Sequence, residues 1–336
     1  MPDARCPRHR CTHNAPVPPT APAPASPHTA GVLYALAAFT LWGLMPLYFR
    51  QVASVPPLEL ILHRSLWALA FVLGLLAALG QWGWLAALRA PPRQLGLYLA
   101  GALLLAGNWL VYVLAIHAGR VVEASLGYFI NPLVNVLLGV AVLHERLRRA
   151  QWLAVALATL GVLWLTWRGD RLPWMALTLA FSFGFYGLLR KTSRLGPLEG
   201  LALETLLLAP VMLPALAWLT FSGGGGAALR GDAGLVGWLV LAGPLSAIPL
   251  VLFAAAARRM PLALVGLMQY LSPTIQLVLG IWVFGEPFDG VRLVGFAFIW
   301  AALVLVSIDA LWRSGLLPTW PRRASGSGGG GIPSKP

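Results

Sequence analysis

Apolar runs of about 20 residues recur along most of this chain, separated by short charged or turn-forming stretches, and that is the length a helix needs to cross a bilayer core. Ten such segments are legible, at 31–50, 57–79, 94–116, 121–143, 150–167, 172–190, 199–220, 235–257, 261–284 and 289–311. The breaks carry charge or turn residues, as at Ala90-Pro91-Pro92-Arg93, Arg168-Gly169-Asp170-Arg171 and the glycines Gly223 to Gly226. That glycine run lacks the Lys-Ser/Thr of a phosphate loop and reads as a plain connection. Residues 1–30, rich in Pro and Ala, read as a disordered tail or as an over-long start to the reading frame. Residues 313–336, rich in Gly and Ser near their end, read as a flexible tail.

The pattern repeats itself. Shifted by 141 residues, the segments superpose in order: Trp42-Gly43 falls on Phe183-Gly184, Arg50 on Lys191, Pro132 on Pro273, Gly139 on Gly280 and Glu145 on Glu286. An odd number of helices per half forces the halves into opposite orientations, the plan of many secondary transporters. The expected fold is an all-α membrane protein of ten transmembrane helices in a 5+5 inverted repeat, residues 31–170 and 171–312.

Composition supports lipid as the solvent: 58% of residues are hydrophobic and only 10% charged, against about 25% charged in soluble domains. A net charge of +13 could suit nucleic acid, but the Lys and Arg residues form no stripe or face. They mark topology instead. With Arg50, Arg190 and Arg292, at segment ends, counted in the adjoining connections, the two tails and the connections after even-numbered segments hold 17, the other connections 6, and Arg64 lies within a segment. Both termini are therefore expected in the cytoplasm, with the chain in the inner membrane. Cys6 and Cys11, with His9 and His13, match no standard zinc spacing. Neither metal nor cofactor is expected.

Candidate chemistry concentrates in a few segments. Asn131-Pro132 and Ser272-Pro273 lie near the midpoints of the fourth and ninth segments, where proline removes a backbone donor and disfavours helix in the residue before it. Paired interruptions of this kind point to a central binding site and a gating role for Pro132 and Pro273. Tyr128, Asn131, Asn135, Gln269, Tyr270, Ser272 and Gln276 surround them, either as cavity lining or as polar ties between helices. The second segment holds Glu59, His63 and Arg64, and the repeat sets Glu204 opposite His63. A charge at mid-membrane costs about 2.5–3.5 kcal/mol on insertion scales, so these residues are expected either to serve transport or to form an Arg64–Glu204 or His63–Glu204 pair. Glu59 and His63 share a helix face, and Asn108 is a further candidate.

Glu145 and Glu286 each follow a proline by 13 residues. A carboxylate at a helix C-terminus opposes the macrodipole, so each should have a cationic neighbour, with Arg146, Arg148 and Arg292 as candidates. Trp82, Trp84, Trp152, Trp167, Trp174 and Trp312 fit an interfacial belt. Trp42 and Trp109 lie deeper, placed either to stack on a solute or to pack.

Glu123-Ala-Ser-Leu-Gly-Tyr-Phe-Ile-Asn-Pro-Leu-Val-Asn135, Phe181-Ser-Phe-Gly-Phe-Tyr-Gly-Leu-Leu-Arg190, Gly243-Pro-Leu-Ser-Ala-Ile-Pro249, Leu58-Glu-Leu-Ile-Leu-His-Arg64 and Gln269-Tyr-Leu-Ser-Pro273 resemble the RarD branch of the EamA transporters, in the drug/metabolite transporter superfamily. The resemblance covers residues 31–311. It implies ten helices, alternating access, a substrate cavity between the halves, and a permease linked to chloramphenicol sensitivity or resistance. One departure stands out: small multidrug exporters of the superfamily couple to protons through a carboxylate in their first helix, and segment 31–50 has no acidic residue. Any proton coupling falls to Glu59, His63 or Glu204.

The leading expectation is a permease for a small organic solute or drug, with membrane lipid as its surroundings and an ion or proton gradient as a candidate driving force. A regulatory or structural membrane protein is the alternative. A membrane-embedded enzyme ranks last, because the body lacks Cys and its histidines, His63, His117 and His144, lie at different depths.

Overall fold

Proline opens several of the helices, at Pro27, Pro57, Pro92 and Pro197. The computed structural model describes residues 27–117, 121–167, 174–221, 226, 233–283, 285 and 290–313. Helix α1 spans Pro27–Gln51, α2 Pro57–Ala78, α3 Pro92–His117, α4 Val121–Ala141 and α5 Arg149–Thr166. Helix α6 spans Trp174–Thr192, α7 Pro197–Phe221, α8 Ala233–Arg259, α9 Leu262–Gln269, α10 Leu271–Trp282 and α11 Gly290–Arg313. Pro57, Pro92 and Pro197 occupy the first helical position, where a missing N–H costs nothing. Helix α2 closes with Gly80 at φ +64. There the Gly80 N–H donates to the Ala77 carbonyl and the Gln81 N–H to the Leu76 carbonyl, satisfying two end carbonyls.

Seven helical stretches among the described residues are long and apolar enough to span a bilayer, and shorter apolar helices run over Gly127–Ala141 and Leu293–Asp309. Large apolar side chains face outward: Val211 is 72% exposed, Trp218 72% and Phe221 79%. Water would penalise such a surface, whereas lipid tails match it. Inside, α1 and α2 pack on α8, α2 on α7, α3 on α6 and α7, α4 on α6 and α9, α1 on α10, and α5 on α11. The fully buried alanines 254, 256 and 257 of α8 let neighbouring helices approach closely. An aromatic cluster of Phe39, Trp42, Phe183, Tyr186 and Phe253 fills the centre, with ring centroids 5.2–6.5 Å apart.

The two midpoint prolines do not act alike. Helix α4 runs through Pro132 without a break. The ninth segment divides at Tyr270 into α9 and α10, three residues before Pro273, because the proline ring crowds the preceding turn. The expected pair of matched interruptions is therefore one interruption. Trp84, expected at an interface, is buried in the short 3-10 stretch Gly83–Arg89 that joins α2 to α3. Glu286, Asp170, Cys6, Cys11, His9, His13 and Gly223 to Gly225 lie outside the described residues.

Candidate functional site

A half-open cavity of about 650 Å³, its mouth included, lies between α2, α3, α7 and α8. Its walls are largely apolar, with polar contributions from Arg64, Ser65, Glu204, Thr205 and Ser246. Arg64 is only 6% exposed. Its Nε donates to Ser246 Oγ at 2.7 Å, and Ser246 in turn donates to the Ala242 carbonyl at 2.6 Å. The guanidinium lies 3.5 Å from the centroid of the Trp109 ring, a close cation–π stack. Trp109, Tyr112 and Tyr128 then continue as edge-to-face aromatic neighbours.

Glu204 does not pair with Arg64 or with His63. Its Oε1 lies 3.3 Å from Arg190 Nη1, and its Oε2 accepts from the Tyr186 hydroxyl at 3.4 Å. Arg190 is 1% exposed and Glu204 3%. The second guanidinium nitrogen of Arg190 donates to the carbonyls of Gly196 and Pro197, at 3.3 and 2.6 Å. The physical reason is reach: Arg190 ends α6 beside the start of α7, whereas Arg64 is turned toward α3 and α8. Arg190 had counted as a loop cation in the topology pattern; it is a buried ion-pair partner, and the charge asymmetry survives its removal. Glu204 also borders a second cavity, of about 920 Å³ with its mouth, lined by Arg93, Gln94, Tyr98, Ser193 and Arg194 among others.

The other nominated residues take varied places. Glu59 is buried in the first turn of α2, with His63 Nε2 3.7 Å from its Oε1. Neither ring nitrogen of His63 has a hydrogen-bond partner among the described residues. Asn108 ties α3 to α6, donating to the Leu179 carbonyl and Ser182 Oγ, both at 2.8 Å. Asn135 donates to Asn131 Oδ1 at 3.2 Å and Gln269 Oε1 at 2.9 Å, bridging α4 and α9. A Cβ added at Gly266 would come 2.6 Å from the Pro132 carbonyl oxygen, so this crossing needs glycine. Tyr270 donates to the Phe129 carbonyl at 3.1 Å, and Gln276 to the Trp42 carbonyl. Ser272 is buried on α10. Thus Arg64 and Glu204 share the cavity, whereas Asn131, Asn135 and Gln269 bond to one another where helices cross.

Glu145 has a cationic neighbour, but among the described residues it is Lys191 at 3.2 Å and not Arg146 or Arg148; the side chain of Arg292 lies outside the described part. Both carboxylate oxygens accept backbone N–H groups that open α9, from Leu262 at 2.8 Å and Ala263 at 3.0 Å. The carboxylate therefore satisfies a helix N-terminus across the fold, where the macrodipole favours it. Sequence reasoning missed Arg190, Tyr186, Thr205 and Ser246. Only Arg190 left a usable signal, being spaced four residues from Tyr186 on one helix face.

The sequence pattern of the EamA-like transporter family matches twice, over residues 29–167 and 172–308. The chain is 47% identical to an uncharacterized transporter of Pseudomonas aeruginosa over 286 residues, covering 84% of this chain and 95% of that one. It is 45% identical to the protein RarD of Streptomyces exfoliatus over 283 residues, 84% of this chain and 89% of that one. A solved crystal structure at 22% identity superposes with a TM-score of 0.66, covering 85% of this chain and 99% of the other, and shows the shared fold. Two family matches spanning the helical body, together with buried charge around a cavity among lipid-facing helices, place the chain in the EamA-like transporter family, on its RarD-like branch, as a membrane transporter.

Proposed function

We propose that the protein is a secondary permease that moves a small organic solute across the bacterial inner membrane by alternating access, with the central cavity as its binding site. The observation that carries this reading is the cavity lining, drawn from α2 and α3 of one half and α7 and α8 of the other. In this reading ten transmembrane helices form a 5+5 inverted repeat, residues 31–170 and 171–312, between an N-terminal tail of 1–30 and a C-terminal tail of 313–336. Packing is consistent with it: α1 on α8 mirrors α6 on α3, and α4 on α6 mirrors α1 on α10. Residues near a two-fold axis meet their own counterparts. Trp42 contacts Phe183, and Tyr270 bonds to Phe129, each pair 141 residues apart.

The charge pattern supports a topology with both termini in the cytoplasm. The second cavity, beside Arg93 and Arg194, then faces the cytoplasm, with the Arg190–Glu204–Tyr186 cluster as the barrier between the two cavities. Moving that barrier, with the broken α9–α10 helix as a bending point at Pro273, is the alternating-access step. Pro132, Asn131, Asn135, Gln269, Tyr270 and Ser272 belong to the moving crossing of α4 with α9 and α10. Ion or proton coupling falls to Glu59, His63 and Glu204. Asn108 and Tyr128 frame the α3–α4 side.

Counterflow of labelled metabolites and amphenicols in proteoliposomes tests transport. Movement above empty liposomes that falls in Glu204→Gln and His63→Ala is expected, and a folded protein that moves no solute in the panel overturns the reading. Cys6 and Cys11, the only cysteines, report orientation. An impermeant maleimide should miss them in intact spheroplasts and label them after permeabilisation; labelling without permeabilisation places the N-terminus outside.

A further inference from the structure

We propose that the central cavity selects an organic monoanion with an apolar body, whose charged group seats on Arg64 between Trp109 and Ser246. The inference rests on the transporter reading and names the substrate class of the same site. Its first support is the balance of charge. Arg64 and Glu204 are the charged residues of the lining. Glu204 is already paired with Arg190, whereas no carboxylate among the described residues lies within ion-pair distance of Arg64. The groups electrostatically nearest to Arg64 are the phenols Tyr48, Tyr112 and Tyr128, which supply no formal negative charge. A guanidinium cannot shed its charge at physiological pH, so this site holds one positive charge that the protein leaves unbalanced.

The second support is geometric. Only Nε of Arg64 is engaged, by Ser246, and neither Nη group donates to a described residue. Ser246 is itself pinned to the Ala242 carbonyl, and Trp109 covers one face of the guanidinium. The plane is fixed while its outer edge stays open, the arrangement that receives a carboxylate through two parallel hydrogen bonds. The third support is polarity across the repeat. Counterparts of Arg64, Trp109 and Ser246 at the 141-residue offset are Thr205, Leu250 and Leu105, and all six line the same cavity. One side is cationic and aromatic and the other mostly aliphatic, which fits an amphiphile bound in one direction. The volume of about 650 Å³ suits a small organic molecule. One unpaired guanidinium balances one negative charge, which favours a monoanion over a phosphate monoester.

The test is calorimetric titration of the purified full-length protein in nanodiscs with 3-phenylpropionate, its neutral amide and 3-phenylpropylamine. The carboxylate should bind at least about tenfold more tightly than the amide, and the amine should bind most weakly. Arg64→Gln should erase the difference between carboxylate and amide, and Arg64→Lys should keep part of it. Should Arg64→Gln fail to fold, the wild-type ligand series decides alone. Equal or tighter binding of the amide or amine, no carboxylate binding by folded protein, or an Arg64→Gln variant that keeps the preference overturns the proposal. Chloramphenicol, a neutral amide, separates the two readings. Its counterflow without carboxylate preference leaves the transporter standing and removes the anion site. Arg64-dependent carboxylate binding without transport of any solute does the reverse.

Discussion

Glu204→Gln replaces one carboxylate oxygen with an amide nitrogen at nearly constant volume, and its consequence can be worked from the geometry. Arg190 stays 1% exposed and keeps its bonds to the carbonyls of Gly196 and Pro197. Those carbonyls carry no formal charge, and Arg190 Nε has no partner among the described residues. The variant therefore leaves a buried cation without its counter-charge, a change that costs about 3–5 kcal/mol in other proteins. A glutamine oxygen can still accept from Arg190 Nη1, so a loss near 3 kcal/mol is expected, or about two orders of magnitude in the folded-to-unfolded ratio. The assay is reversible unfolding in mixed micelles of increasing SDS fraction, followed by circular dichroism and tryptophan fluorescence. Arg190→Met completes a double-mutant cycle. Removing both charges should cost less than the two single changes together, by about 2 kcal/mol or more, because the second substitution removes the stranded charge. A Glu204→Gln variant within about 1 kcal/mol of wild type, or a double variant that costs the full sum, would refute the ion-pair reasoning.

Three further outcomes are expected. Gly200→Ala places a Cβ against the Arg190 guanidinium, so it should cost about 1–3 kcal/mol and be non-additive with Glu204→Gln in the same titration; full additivity would show that the guanidinium has room to move. Asn135→Ala removes the donor that joins Asn131 to Gln269 and should cost about 1–2 kcal/mol, while Gln276→Ala should leave the α4–α9 tie intact; crosslinking between α4 and α9 reads this directly. Pro273→Ala restores a backbone donor beside the break at Tyr270 and should slow counterflow several-fold with membrane insertion unchanged, whereas Pro132→Ala, in an unbroken helix, should have a smaller effect. The reverse order would dismiss α9–α10 as the bending point.

Much of the fold was legible because lipid imposes a simple rule: every backbone polar group must be satisfied within its own segment, so apolar length maps onto helix. Helix α2 starts at Pro57, where its segment was read to start, while α3 and α7 start two residues earlier than read, at Pro92 and Pro197. The chemistry around them was less legible. Reading Asn131, Asn135 and Gln269 as polar residues inside the membrane identified residues that matter to each other. It could not say that they bond across a helix crossing while Arg64 and Glu204 face the cavity. A period of 3.6 residues fixes which side chains share a face, but the rotation of each helix against its neighbours is set by packing.

The sequence by itself determined that the chain is a series of apolar helices of membrane type, the charge asymmetry between its connections, and the presence of costly polar groups among apolar ones. Partner choice was decided by tertiary structure alone. Glu204 took Arg190 and Tyr186 from α6 in place of its repeat neighbours on α2, Glu145 took Lys191 and the first N–H groups of α9, and Arg64 was left with a serine, a tryptophan face and an open edge. These contacts form only within about 4 Å, while Arg190 and Glu204 stand 14 positions apart along the chain and Arg64 and Ser246 stand 182 apart. Only the packing of helices brings them within reach, and only packing shows which charge it leaves unmatched.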